Sequence, residues 1–258
     1  MKLKLLSALA LTALVSACGG DKEAAPTNSN QIRIATEGAY APFNYTNTDG
    51  SLGGFDVDIA NALCAKMAAE CTIEAQDWDG IIPALKAGKF DAIVSSMSVT
   101  PERIEQVDFT EPYFANTLVF LAKKDSAFNP ANASEIEAAK ITAQGSTISS
   151  QWLSQAHPSI TPQLHGSLDG AFMDLGNGRV DIMISDKLPA LTWLKSDLGK
   201  SFGIKGDDID INDKFAIAVN KGDAELAGKF NKALADIKAD GTYDEIVVEH
   251  FGQEMLTK

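Results

Sequence analysis

Residues 31–36, Gln-Ile-Arg-Ile-Ala-Thr, alternate between polar and apolar side chains as a strand does. The run breaks into Glu37-Gly38-Ala39-Tyr40-Ala41-Pro42-Phe43, a loop rich in residues that stop regular structure, and Asn47-Thr48-Asp49-Gly50 then marks a hairpin-like turn. From residue 56 to residue 69, Val57, Ile59, Ala60, Leu63, Cys64 and Met67 recur at helical spacing, with Asp56 placed to cap the helix start. Strand and helix patterns alternate from there on, which predicts an α/β class.

The pattern repeats itself. The stretch from Asp79-Gly80 through Gly88-Lys89-Phe90-Asp91 to Ser95-Ser96 aligns without a gap on the stretch from Asp169-Gly170 through Gly178-Arg179-Val180-Asp181 to Ser185-Asp186. In each, a helix begins near the Asp-Gly pair and ends at a glycine. A basic residue follows, and an aspartate leads into an apolar strand. A second echo precedes each unit: Arg33-Ile34-Ala35-Thr36-Glu37-Gly38 parallels Lys140-Ile141-Thr142-Ala143-Gln144-Gly145. Two lobes of like construction are expected, with residues 31–115 and 212–258 forming the first and residues 116–211 the second. The chain would cross between them near Asn116-Thr117 and Asn212-Asp213, which would act as the hinge.

Composition supports a folded, soluble chain: 45% of the 258 residues are hydrophobic and 22% are charged. The formal charge of −13 argues against an electrostatic grip on nucleic acid. Lys2 and Lys4 precede an apolar run that ends in small residues, which reads as a secretory signal over residues 1–17. Leu14-Val15-Ser16-Ala17-Cys18 resembles the bacterial lipoprotein box, in which the cysteine is acylated and becomes the first residue of the mature chain. Residues 18–30 are small and polar, suited to a tether below a membrane-anchored Cys18. That compartment is oxidising, so the remaining pair, Cys64 and Cys71, is expected to form a disulfide. Seven residues of continuous helix would separate them by about 10.5 Å, too far for a bridge, so the helix must end between them.

Ligands of open parallel sheets sit beyond the carboxyl ends of the strands. Those ends are Glu37, the Ser95-Ser96-Met97-Ser98 run, the Gln144-Gly145-Ser146-Thr147 run and Ser185-Asp186, all of them polar. If the two lobes face each other, these ends converge on one cleft. Together with Gly54-Phe55-Asp56-Val57-Asp58-Ile59, Asp77-Trp78-Asp79, Thr100-Pro101-Glu102-Arg103 and Asp240-Gly241-Thr242-Tyr243, they make the chain resemble the extracellular solute-binding proteins of polar amino-acid ABC importers. The resemblance covers nearly the whole mature chain. It implies a two-lobed type II periplasmic binding fold, each lobe a mostly parallel sheet flanked by helices.

The demands of a free amino acid can be matched to these positions. Its α-carboxylate suits the planar fork of Arg103, which sits in a short helical start capped by Thr100 with Pro101 in the first position. In the family the matching arginine holds that carboxylate. Gly145-Ser146-Thr147 would offer backbone N–H groups to the same anion from the other lobe. Asp186 matches the family's ammonium-binding aspartate, with Ser96 and Ser98 as partners. The family's motifs also place Ser95, Met97 and Ala143 at the ligand. Glu37, Tyr40 and Trp78 should select the side chain: either ring can attract a cationic group, and Glu37 can pair with its charge. A cationic amino acid follows, arginine first, then lysine, ornithine or histidine, with glutamine as the alternative.

Three positions depart from many basic-amino-acid binders. Ile148 replaces a polar residue, Met97 fills the middle of the serine motif, and Asp210-Ile211-Asn212-Asp213-Lys214-Phe215 replaces a glycine-containing return segment. The resemblance further implies closure of the lobes on the ligand and recognition of the closed, monomeric form by an ABC permease. The competing class is a dehydratase-like enzyme on the same fold. His157, His165 and His250 lie outside the matched motifs, and nothing in the sequence calls for a cofactor or a metal.

Overall fold

The computed structural model describes residues 30–257; the expected signal segment 1–17, Cys18 and the tether as far as residue 29 lie outside them. The opening alternation forms strand β1 (Gln31–Thr36), and the breaker-rich loop holds a small antiparallel sheet of β2 (Ala39–Tyr40), β3 (Asn44–Thr46) and β4 (Leu52–Gly53). Helix α1 (Phe55–Lys66) follows, then β5 (Glu70–Ala75), α2 (Trp78–Lys86), β6 (Ala92–Ile93), the single turn α3 (Pro101–Ile104) and β7 (Val107–Phe109). A long strand, β8 (Phe114–Lys123), carries the chain into a second sheet. There α4 (Ala133–Ala138), β9 (Ile141–Gln144), α5 (Ile148–Ala156), β10 (Gln163–His165), α6 (Leu168–Gly176), β11 (Ile182–Asp186) and α7 (Lys187–Trp193) follow in turn. Strand β12 (Phe202–Phe215) returns to the first sheet, which β13 (Ala218–Asn220) joins before α8 (Ala224–Ala239) and α9 (Thr242–Phe251).

Each sheet has five strands, in the orders β5-β1-β6-β13-β7 and β10-β9-β11-β8-β12. Both are mixed. β1 runs parallel to β5 and β6, and β9 parallel to β10 and β11, because helices cross over between them. The crossing strands bring in the antiparallel half: β8 pairs antiparallel with β11 and β12, and β13 antiparallel with β6 and β7.

The sequence echo has a structural counterpart at each sheet. The Asp91 carboxylate accepts the Arg33 backbone N–H at 2.8 Å, and Asp181 accepts the Lys140 backbone N–H at 3.0 Å. In return the Asp91 and Asp181 backbone N–H groups each donate at 2.8 Å to the carbonyls of Arg33 and Lys140. The two aspartates therefore do the same task, pinning the start of the repeat's strand to its neighbour. Gly88 and Gly178, just past the ends of α2 and α6, have left-handed φ of 73° and 70°.

Two expectations about α1 resolve differently. The disulfide Cys64–Cys71 is present with a Cα separation of 6.2 Å, because the helix stops at Lys66 and the chain turns back into β5. Closing so short a loop restricts the unfolded chain enough to contribute about 2–3 kcal/mol. Asp56, however, does not cap the helix. The N-cap is Gly54, whose φ of 111° brings it so close to the Phe43 carbonyl that an added Cβ would lie 2.4 Å from the oxygen. The helix therefore begins two residues early and turns the Asp56 carboxylate inward. There it accepts hydrogen bonds from Asn44 Nδ2 at 2.8 Å, Ser96 Oγ at 2.9 Å and the Tyr113 hydroxyl at 2.7 Å.

Beside this acid, Phe43 packs within 6.0 Å of the Phe55, Phe114, Phe215 and Phe251 rings, measured between centroids. Phe114 and Phe215 are paired across β8 and β12, so the first sheet's aromatic core grips both crossing strands where they leave it.

Candidate functional site

The strand ends do converge. Glu37, Tyr40, Trp78, Ser95, Ser96, Ser98, Arg103, Gln144, Thr147, Ile148 and Asp186 line one enclosed space of about 10 Å³, room for little more than a water-sized sphere. Both sheets contribute, and hydrogen bonds pass directly between the two walls. Arg103 Nη2 donates to the Ser146 carbonyl at 2.8 Å, and Trp78 Nε1 donates to the same oxygen at 3.2 Å. The Ser146 hydroxyl donates to Asp79 at 3.1 Å, Gln144 Nε2 donates to Glu37 Oε1 at 2.7 Å, and the Tyr40 hydroxyl donates to Asp186.

Arg103 is placed as its sequence neighbours require. Thr100 caps α3, accepting the Arg103 backbone N–H at 3.3 Å, and Pro101 occupies the first helical position. The guanidinium, 5% exposed, donates through Nη1 to the Ser98 carbonyl at 2.8 Å and lies 5.1 Å from the Trp78 ring centre. Burial lowers its pKa to about 10, against the attraction of Asp213 and Asp186. Trp78 thus stacks on the arginine, and Tyr40 packs on Phe43 with ring centres 6.2 Å apart.

The acids are poised differently from exposed carboxylates. Burial raises Glu37 to about 7, opposed by the Gln144 hydrogen bond and reinforced by Asp169, Asp77 and Asp79 nearby. Asp186, fully enclosed at the end of β11, is also raised to about 7, chiefly by burial and then by the Asp213 charge, despite hydrogen bonds from Tyr40 and Asn116 and the Arg103 charge.

The remaining predicted residues divide. Ser95 Oγ accepts the Glu37 backbone N–H at 2.9 Å, Ser96 and Ser98 point their hydroxyls to Asp56 and Asp213, and Thr147 caps α5. The backbone N–H of Thr147 is already taken by Ser150 Oγ at 3.1 Å, in a capping box. Ser146, with a left-handed φ of 57°, turns its carbonyl to Arg103 and Trp78 and its hydroxyl to Asp79, and does not line the space. Met97 and Ala143 stand apart from the lining. Met97, in the loop past the end of β6, buries its side chain in the core with Ala35 and Ile81, and strand alternation turns that of Ala143 into the core with Leu153 and Ile184. Gln144, expected at a strand end facing the cleft, and Asn116 and Asp213, expected at the hinge, contribute without having been given a ligand role from the sequence.

The histidines lie elsewhere. His157 packs on Trp152, His165 faces Asp174 and His250 faces Asp58. Among the described residues no group of three His, Cys, Asp or Glu side chains is arranged to hold a metal.

The family model for bacterial extracellular solute-binding proteins, family 3, matches residues 32–253. The chain belongs to this family. It is 38% identical to the L-arginine-binding protein of Pseudomonas aeruginosa over 97% of its own length and 96% of that protein's. Among solved structures, an ancestral arginine-binding protein bound to arginine superposes with a TM-score of 0.81 at 34% identity, covering 86% of this chain and 99% of that one. An ancestral arginine-binding protein bound to glutamine superposes with a TM-score of 0.80 at 33% identity, covering 87% and 99%. The two-lobed type II periplasmic binding fold is therefore that of the family, and the relatives are named for binding rather than for catalysis.

Proposed function

We propose that this chain captures a cationic L-amino acid between its lobes, arginine first and lysine, ornithine or histidine after it, and presents it to the permease of an ABC importer. The observation that carries this reading is the juxtaposition of Arg103, Asp186 and Glu37 around one enclosed space. Arg103 supplies a fork for the α-carboxylate, Asp186 a counter-charge for the α-ammonium, and Glu37 an acceptor for a charged side chain. Ser96, Ser98 and Thr147 add hydrogen-bonding capacity, and the relatives named for arginine binding support the choice of ligand. The space of about 10 Å³ is far smaller than an amino acid, so uptake requires the lobes to part and then to close around the ligand. A ligand that touches both walls only in the closed form drives closure by its differential affinity.

Calorimetric titration with L-arginine and L-glutamine tests the reading. Arginine should bind the more tightly, and Glu37→Gln should weaken arginine about tenfold or more while changing glutamine less than about threefold. Preference for glutamine in the unaltered protein would overturn the arginine assignment. Glutamine is the second reading because Glu37, raised to about 7, is partly protonated at neutral pH and could then donate to a neutral amide.

In the same proposal the protein works as a monomer held at the outer side of a bacterial membrane by acylated Cys18, in the periplasm or at the cell surface. The full-length chain should enter the detergent phase on Triton X-114 partitioning, and Cys18→Ser should leave it in the aqueous phase. A Cys18→Ser variant that still enters the detergent phase would refute the anchor.

A further inference from the structure

The return crossing of the hinge carries an acid that the reading above does not use. Asp213, on β12, is 6% exposed and stands opposite Asn116 on β8. Its carboxylate accepts from Asn116 Nδ2 at 2.9 Å and from Ser98 Oγ at 3.1 Å. Asn116 also acts on Asp186, helping to hold its pKa down, so one side-chain amide stands between two buried carboxylates. Tyr40 closes the far side of Asp186. The row Tyr40–Asp186–Asn116–Asp213–Ser98 thus joins the first sheet's loop, the second sheet and both hinge strands.

We propose that Asp213 is a second carboxylate of the ammonium site, acting with Asp186 through the Asn116 amide, so that an arriving ammonium displaces a proton the two acids otherwise share. This rests on the amino-acid reading above and adds to it a residue and a stoichiometry. The charges around the pair leave it short of a cation. Arg103 is the charged donor facing it, and its Nη1 and Nη2 each donate to a backbone carbonyl, those of Ser98 and Ser146. Tyr40 faces the pair as a neutral hydroxyl, and Glu37 beyond it adds a further acid. Lys187, next to Asp186 in sequence, is turned to Asp208 at 2.5 Å, and Lys214 touches Asp213 only through its backbone.

Two like charges buried this close do not both ionise easily, and their protons belong to the pair. Burial raises both aspartates; the Asp213 charge raises Asp186 further, while Asn116, Ser98 and Arg103 act to lower Asp213. When a zwitterion binds, its carboxylate takes up Arg103 and its ammonium becomes the cation available to the pair. The ammonium's N–H groups then take the place of the acid's O–H, and the proton passes to solvent. Since the acids' pKa values are raised in the closed site, proton release is expected below about pH 7 and fades above it.

Calorimetric titration of the full chain with L-arginine, in phosphate and in imidazole at about pH 6 and about pH 8.5, reads this directly. Comparing the two buffers should show release of about one proton per arginine at the lower pH and close to none at the higher. Glu37 titrates in the same range, so Glu37→Gln and Asp213→Asn are measured alongside. Release that persists in Glu37→Gln and disappears in Asp213→Asn supports the pair. Absence of release in the unaltered protein, or release lost in Glu37→Gln and kept in Asp213→Asn, overturns it.

A second measurement needs neither ligand nor variant. In a carbon-13 carboxyl titration, Asp186 and Asp213 should respond together, above the ordinary range of exposed aspartates. Two aspartates titrating independently below about pH 5 would overturn the proposal even where arginine binds. Coupled titration in a protein that fails to bind arginine would reject the choice of amino acid and leave the paired acids standing.

Discussion

Replacing Arg103 with alanine should weaken arginine binding by about a thousandfold, as measured by calorimetry. The guanidinium is buried and is the group available to the ligand's carboxylate, and truncating one partner of a buried, hydrogen-bonded charge pair costs about 3–5 kcal/mol. It also ties the walls together through the Ser146 carbonyl, and it rests on Trp78, so its loss removes a closing contact as well as a charge. Arg103→Lys keeps the charge but loses the planar fork and the stacking, and should fall between the two, about 10- to 100-fold weaker than the unaltered protein. Retention of affinity within about threefold in Arg103→Ala would remove the basis of the proposed carboxylate site.

The second large effect is on stability. Asp56→Ala should lower the unfolding free energy by about 3–5 kcal/mol in urea denaturation. The carboxylate is fully buried and accepts from Asn44, Ser96 and Tyr113, so its removal strands three donors where water does not reach. The damage should reach the cleft. Tyr113 accepts the Ser96 backbone N–H at 2.9 Å, and Ser96, held at a left-handed φ of 46°, lines the binding space. Asp56→Asn preserves the shape but turns an amide toward some of these donors, and should cost less. A loss below about 1 kcal/mol in Asp56→Ala would show that the three donors find other partners.

Asp56 also marks where sequence reading stops. Its position before an apolar helical stripe looks like a cap, and what overrides that is a tertiary contact: the close approach of Gly54 to Phe43, which periodicity does not encode. The repeated units were legible because each is a local helix–turn–strand with its own punctuation, down to the paired aspartates at 91 and 181. The cleft residues Glu37, Ser96, Arg103 and Asp186 were legible as polar side chains at strand ends and a helix start. Met97 and Ala143 share that location along the chain but bury their side chains in the cores, Ala143 through the pleat of β9 and Met97 from the loop after β6. Asp213 left a usable signal. Ile209, Ile211, Asp213 and Phe215 alternate along β12 toward the interior, and an acid in that series is an inward-facing charge. The sequence places Asp213 at the hinge crossing and does not by itself show that the crossing turns the acid toward the cleft. Gln144 and Asn116 were placed from the sequence at a strand end and at the hinge, but the partners they meet there follow only from which strands come together.

The two crossings between sheets are not independent threads. Phe114, Ala115 and Asn116 pair in register with Phe215, Lys214 and Asp213. A ribbon stitched in this way flexes about a line across its rungs and resists shear or swivel. Separation of the two halves should therefore follow one angular coordinate, and distances between fluorophore pairs placed on opposite halves should change in fixed proportion to one another.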